Sequence, residues 1–188
     1  MNPSDTTKSV KQMLAGVEPP DLGPGIRSGT RSEAELETAF NSLAPELQLP
    51  ETNRELIRAL VLLWHDHLAP AHHIAQEFEN QDGNLVHAIM HRREPDSWNS
   101  KYWWRRVGKH PCFPEIARRM SELLKSKGEH NLAGKLIPRG QWDAFAFVDA
   151  CEAAAKLPVS DERVQLLREI QRIEFEVALE YFAQRGAS

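Results

Sequence analysis

The chain has 188 residues, enough for one domain with its own core at the usual scale of roughly 150 residues. Its composition, 41% hydrophobic and 27% charged, excludes a disordered or fibrous polymer. A net charge of −4 excludes bulk attraction to nucleic acid or an anionic membrane. Two cysteines far apart in sequence, Cys112 and Cys151, exclude a disulfide framework and a CxxC metal knuckle, so a reducing cytoplasm is the expected location. Residues 1–11 are polar and carry no apolar signal core, and no stretch approaches the roughly 18 to 20 apolar residues that span a bilayer. No membrane partner is therefore expected.

Residues 1–30 hold Pro19-Pro20, Pro24-Gly25 and many Ser, Thr and Asp residues. They predict a flexible N-terminal arm, with at most one helical turn over Val10–Leu14. A single helical domain is expected over residues 31–188. Ser32-Glu33-Ala34-Glu35 is a capping-box pattern that opens a helix through Leu36, Phe40 and Leu43. A second such pattern, Thr52-Asn53-Arg54-Glu55, opens a longer element. Its apolar stripe runs through Ile57, Leu60, Val61, Trp64, Leu68, Ala71 and Phe78. Pro70 is expected to kink or break that helix near His67. A Gln81-Asp82-Gly83 turn then leads to a helix over Leu85–Glu94, stopped by Pro95-Asp96. Beyond an aromatic and basic segment, Trp98–Val107, helices are expected over Glu115–Lys127, Gln141–Lys156 and Asp161–Gln184. Strand-like alternation is nearly absent. The pattern predicts an all-α fold, an irregular bundle of about six or seven helices.

Seven of the eight histidines and four of the five tryptophans fall between Trp64 and His110. In a helix at about 100° per residue, His87, His91 and Glu94 share one narrow stripe. On the preceding helix Asp66, His73 and Glu77 share a stripe, and His65, His72 and Gln76 form its neighbour. If the two helices are antiparallel, Asp66 or His73 approaches His87 and His91. Such a set of N and O donors with an open position suits Zn, Fe or Mn, which would make a hydroxide nucleophile from bound water. The competing account is a set of partly buried histidines that simply hydrogen-bond carbonyls or carboxylates.

Lys101-Tyr102-Trp103-Trp104-Arg105-Arg106 alternates rings with cations, a composition that suits bases and phosphates. Residues 91–109 carry a local +4, against a local −5 over residues 143–180. The overall acidity argues against nucleic acid as the partner, and a phosphate or carboxylate held by Arg92, Arg93 and Arg105 is the smaller claim. Cys112, two residues from His110, has no third partner visible in the sequence and is expected to be a packed apolar residue.

The stretch His87-Ala-Ile-Met-His91-Arg-Arg-Glu94-Pro-Asp96, with Asn99-Ser-Lys-Tyr-Trp103 and Arg106-Val-Gly-Lys-His-Pro111, resembles a family of uncharacterised bacterial and fungal proteins. The family signature reads HGIMHRREPD…NAKYW…GxHP, preceded by an Asp and an HxIAQ element that match Asp66 and His73-Ile-Ala-Gln76 here. Ala88 stands where the signature has glycine. The likeness covers roughly residues 60 to 115 and implies site residues, namely Asp66, His73, His87, His91 and Glu94, without implying a reaction. The dipeptide His65-Asp66 is also similar to that of the HD phosphohydrolases, but no histidine precedes His65 to supply their upstream ligand.

Together these patterns predict a His/Asp/Glu-lined pocket for metal-assisted hydrolysis of a small anionic substrate. His73, His87 and His91 are the expected metal ligands, and Asp66 and Glu94 the expected catalytic carboxylates. Arg92, Arg93, Asn99 and Tyr102 are expected to line the substrate side. The alternative is a non-catalytic ligand-binding or scaffold protein whose histidines form a structural network.

Overall fold

The computed structural model describes residues 3–184; the outermost ends of the expected arm and domain, residues 1–2 and 185–188, lie outside the described residues. The architecture is all-helical, with no strand among the described residues. In chain order the helices are α1 (Pro3–Gln12), α2 (Glu33–Leu43), α3 (Glu51–Trp64), α4 (Leu68–Ala75), α5 (Gln81–Arg93), α6 (Ser97–Val107), α7 (Phe113–Ser126), α8 (His130–Leu136), α9 (Ala144–Ala154) and α10 (Glu162–Gln184). Among the described residues ten helices replace the expected six or seven, because one long element divides, the N-terminal segment and the aromatic basic segment are each helical, and a short helix, α8, lies between two of the expected ones. No described helix is long and apolar enough to cross a membrane.

Local chemistry explains most boundaries. The Ser32 side chain accepts from the Glu35 amide while the Glu35 carboxylate accepts from the Ser32 amide at 2.8 Å, so the capping box of α2 is formed as its residues predict. The second box is not formed. Helix α3 begins one residue earlier than Thr52, behind Pro50, whose φ of −52° already suits helix entry. Asn53 instead lies inside the helix and donates to the Phe182 carbonyl at 2.9 Å, tying α3 to α10. The break falls at residues 65–67, before Pro70. Asp66 sits at φ +69°, a left-handed conformation that Asp tolerates better than most residues. Pro70 is then the third residue of α4, where a missing N–H removes no intrahelical bond.

The expected Gln81-Asp82-Gly83 turn is the first turn of α5, capped by the Asn80 side chain on the Gly83 amide at 2.8 Å. Glycine is required there because a Cβ would lie 2.1 Å from the Phe78 carbonyl oxygen. Every residue of α5 from Gly83 to Arg93 is buried, which makes it the central helix. It packs on α3, α4 and α6, while α10 packs on α1, α3, α7 and α9.

The N-terminal segment is not a free arm. Helix α1 lies on α10 with Val10 buried, Met13 and Leu14 are buried just beyond its end, and Lys11 pairs with Glu180 at 2.6 Å. Residues 13–31 form a strap without regular structure, held by side chains from elsewhere. Gln171 donates to the Pro20 carbonyl at 2.8 Å, Arg168 to the Pro19 carbonyl at 3.2 Å and His67 to the Arg31 carbonyl at 2.8 Å. Its Pro- and Gly-rich composition reads as disorder because none of these anchors is local.

Candidate metal centre

Helices α4 and α5 bring three imidazoles together. His72, His87 and His91 each offer a ring nitrogen, and these atoms all lie within 4.8 Å of one another. One turn apart on α5, the His87 and His91 rings stack nearly parallel at 4.9 Å, with an interplanar angle of 16°. His72 leans against both, at 4.7 and 5.2 Å between ring centres. Trp103 of α6 covers the His87 ring at 3.9 Å and 19°.

His87 is 4% exposed, and its Nε2 is buried with no hydrogen-bond partner among the described residues. An unpaired buried polar atom of this kind costs about 1–3 kcal/mol. Burial, with His91 and His72 adjacent, lowers its pKa to about 3, so the ring is neutral near pH 7. Burial also lowers the pKa of His91, opposed by the carboxylate of Glu94. The His91 Nδ1–H donates to Glu94 Oε2 at 3.0 Å, which leaves Nε2 as the nitrogen facing a ligand. Asn99 Nδ2 stands 3.2 Å from that Nε2 and 3.3 Å from Nδ1, and so holds a donor against the ring.

Of the residues selected from sequence, His87, His91, Glu94 and Asn99 meet here, with Tyr102 edge-on to Trp103 at 5.2 Å. His73 does not. It is exposed and accepts from Gln76 at 3.1 Å, and His72 takes its place because the break at Asp66 resets the helical phase of α4. The signal was the neighbouring stripe of His65, His72 and Gln76, from which His72 alone faces α5.

Asp66 is also elsewhere. Its two oxygens are engaged by Arg93 Nη2 at 2.6 Å and by the Arg27 amide and Nε at 3.0 and 2.8 Å. Arg93, fully buried, donates as well to the Leu63 carbonyl, and burial lowers its pKa to about 10 against the pull of Asp66. Arg92 is turned into the core, paired with Glu174 and lying over the Phe147 ring at 4.5 Å. Both arginines are spent on carboxylates far away in sequence, Glu174 and Asp66, and neither pairs with a residue of the triad.

A second histidine site lies at the other end of α5. His110 Nε2–H donates to Asp82 Oδ1 at 2.8 Å, and its Nδ1 accepts from the Cys112 thiol at 2.9 Å and the Cys112 amide at 3.2 Å. This supplies the third partner that Cys112 lacked in sequence. The thiol is nevertheless 3% exposed and burial raises its pKa, so the thiolate a nucleophile requires is suppressed.

No family profile, no curated protein and no solved structure matches the chain.

Proposed function

We propose that His72, His87 and His91 bind one divalent transition-metal ion, zinc first among zinc, iron and manganese, and that the protein hydrolyses a small anionic substrate there. The observation that carries this reading is the unpartnered Nε2 of His87, buried within reach of two further imidazole nitrogens. A hydrogen-bonded structural network would pair that atom.

Three imidazole ligands with a fourth position open are a donor set suited to catalytic zinc. Zinc–nitrogen bonds of about 2.0–2.1 Å would place tetrahedral ligands about 3.4 Å apart, so three nitrogens that lie within 4.8 Å of one another would draw together by at most about 1.4 Å. His72, half-buried and on the shortest of the three surrounding helices, is the ligand free to move. Glu94 orients His91 and raises its basicity, the outer carboxylate role common in such sites. Asn99 yields its place at His91 and becomes available to a ligand. A bound ion would supply Lewis acidity and bring the pKa of a water to about 7. Glu94, whose side chain is 38% exposed, is the carboxylate placed to take a proton at the rim.

Elemental analysis of the purified chain, before and after reconstitution with zinc, iron and manganese, tests the metal. One ion per chain in the wild type and none in His87→Ala is the expected result. Glu94→Gln should weaken zinc binding about 10–100-fold without removing the site. No metal after reconstitution overturns the metal site. Full metal content with no turnover across phosphate and carboxylate esters overturns the hydrolysis and leaves the binding.

A further inference from the structure

Helix α6 carries two different faces. Ser100, Trp104 and Val107 turn into the core, whereas Trp98, Asn99, Tyr102, Trp103 and Arg106 occupy the opposite arc. The inner edge of that arc touches the triad, through Asn99 on His91 and Trp103 on His87. The outer edge is bare. Trp98 is 74% exposed and Tyr102 39%, with rings parallel to within 14° and 6.3 Å apart.

Exposed apolar rings in a continuous patch are informative in a way that a lone exposed Leu is not. This patch runs unbroken from Trp98 through Tyr102 and Trp103 to His87. One cation overlooks it: the Arg106 guanidinium lies 6.0 Å from the Tyr102 ring and 5.4 Å from the Trp103 ring. Arg106 is exposed, and no carboxylate among the described residues pairs with it. Its neighbours on α6 are engaged, Lys101 with Asp149 and Arg105 over Phe145.

We propose that Trp98, Tyr102 and Arg106 form the substrate shelf of the histidine triad and take a planar aromatic ring bearing an anionic oxygen group, a carboxylate or a phosphate. The ring lies on the exposed indole and phenol, the guanidinium takes the anionic oxygens in its fork, and the far end of the ligand reaches His72 and His91. Stacking selects the flat ring over a saturated one of equal size and charge. Arg106 selects the acid over its neutral analogue. The assignment rests on the metal reading for the fate of the ligand, not for its binding.

The test uses 1-naphthoate as the probe, with cyclohexanecarboxylate and 1-naphthylmethanol as the saturated and the neutral controls. Binding is measured by isothermal calorimetry on zinc-loaded and metal-free chain, and by ring-current shifts of the His72 and His91 imidazole protons in NMR spectra. 1-Naphthoate is expected to bind about tenfold tighter than either control, and to lose about tenfold in each of Trp98→Ala and Arg106→Gln. Both side chains are exposed, so both variants keep the wild-type circular dichroism. Shifted His72 and His91 protons tie the shelf to the triad, and such shifts in a chain that takes no metal support the shelf while removing the metal. Equal binding of 1-naphthoate and cyclohexanecarboxylate, unchanged affinity in the two variants, or no binding at about 1 mM probe overturns the shelf even where zinc is bound.

Discussion

The two ends of α5 hold two histidine sites in opposite states of completion. At its start, Asp82, His110 and Cys112 pair every ring nitrogen of His110, and the assembly is closed beneath Phe113 and Tyr181. Toward its end, His72, His87 and His91 leave a buried nitrogen of His87 without a partner. The first site has the order nucleophile, base, carboxylate that a chemist would seek, and its thiol is inert. The second lacks a carboxylate in its inner ring, and it is the one with capacity left over.

The sharpest way to break this contrast is to remove Asp66, the carboxylate that joins the strap to α3 and α5. Asp66→Ala leaves Arg93 buried without its counter-charge and frees Arg27, a loss of about 3–5 kcal/mol in chemical denaturation. Zinc bound per folded chain should stay the same, since no hydrogen bond joins Asp66 to the triad. A variant of wild-type stability that has lost its metal would return Asp66 to the site. His110→Ala comes next, at about 3 kcal/mol, the upper end for groups left unpaired because ring packing against Tyr181 is lost too. Its zinc content should also match the wild type, whereas His87→Ala should show the reverse pattern, with metal lost and the fold kept.

What could be read from sequence and what could not divide along the same line. The His87, His91 and Glu94 stripe was legible because its geometry lies within one helix, and the Ser32 capping box for the same reason. That His72 rather than His73 meets the α5 pair was not legible, because the phase of α4 depends on one residue, Asp66, adopting a left-handed backbone that no periodicity announces. Arg92 and Arg93 read as cations for the substrate side, since nothing within ten residues betrays Glu174 or Asp66 as their partners. The strap was missed in the same way. Residues 13–31 have few partners of their own, and the side chains that hold them come from the break after α3, from α5 and from α10. Composition reports local propensity, whereas these positions are decided by contacts distant in sequence.

The gentlest perturbation is acid, and it acts on the strap through His65. That ring is fully buried and accepts from the Arg31 amide at Nδ1, 3.1 Å away, while its Nε2–H donates to the Met13 carbonyl at 2.9 Å. A proton on Nδ1 would break the first bond and place a cation beside Arg31 and Arg27. Burial chiefly, with those arginines and His67, holds the pKa of His65 below its ordinary value despite the opposing bond to Met13. The unfolded chain binds the proton more readily, so the stabilisation is complete above about pH 6.5 and is lost as the pH falls toward the folded value. His87 and His91 titrate in the same direction, so the wild-type slope alone does not single out the strap. His65→Gln, which keeps an amide donor for the Met13 carbonyl and cannot take the proton, isolates it. Denaturation midpoints between pH 7.5 and pH 5 (about 7.5 to 5, spanning the ordinary histidine range) should fall less steeply in the variant than in the wild type. Parallel slopes would mean that the triad, not the strap, carries the acid sensitivity of the fold.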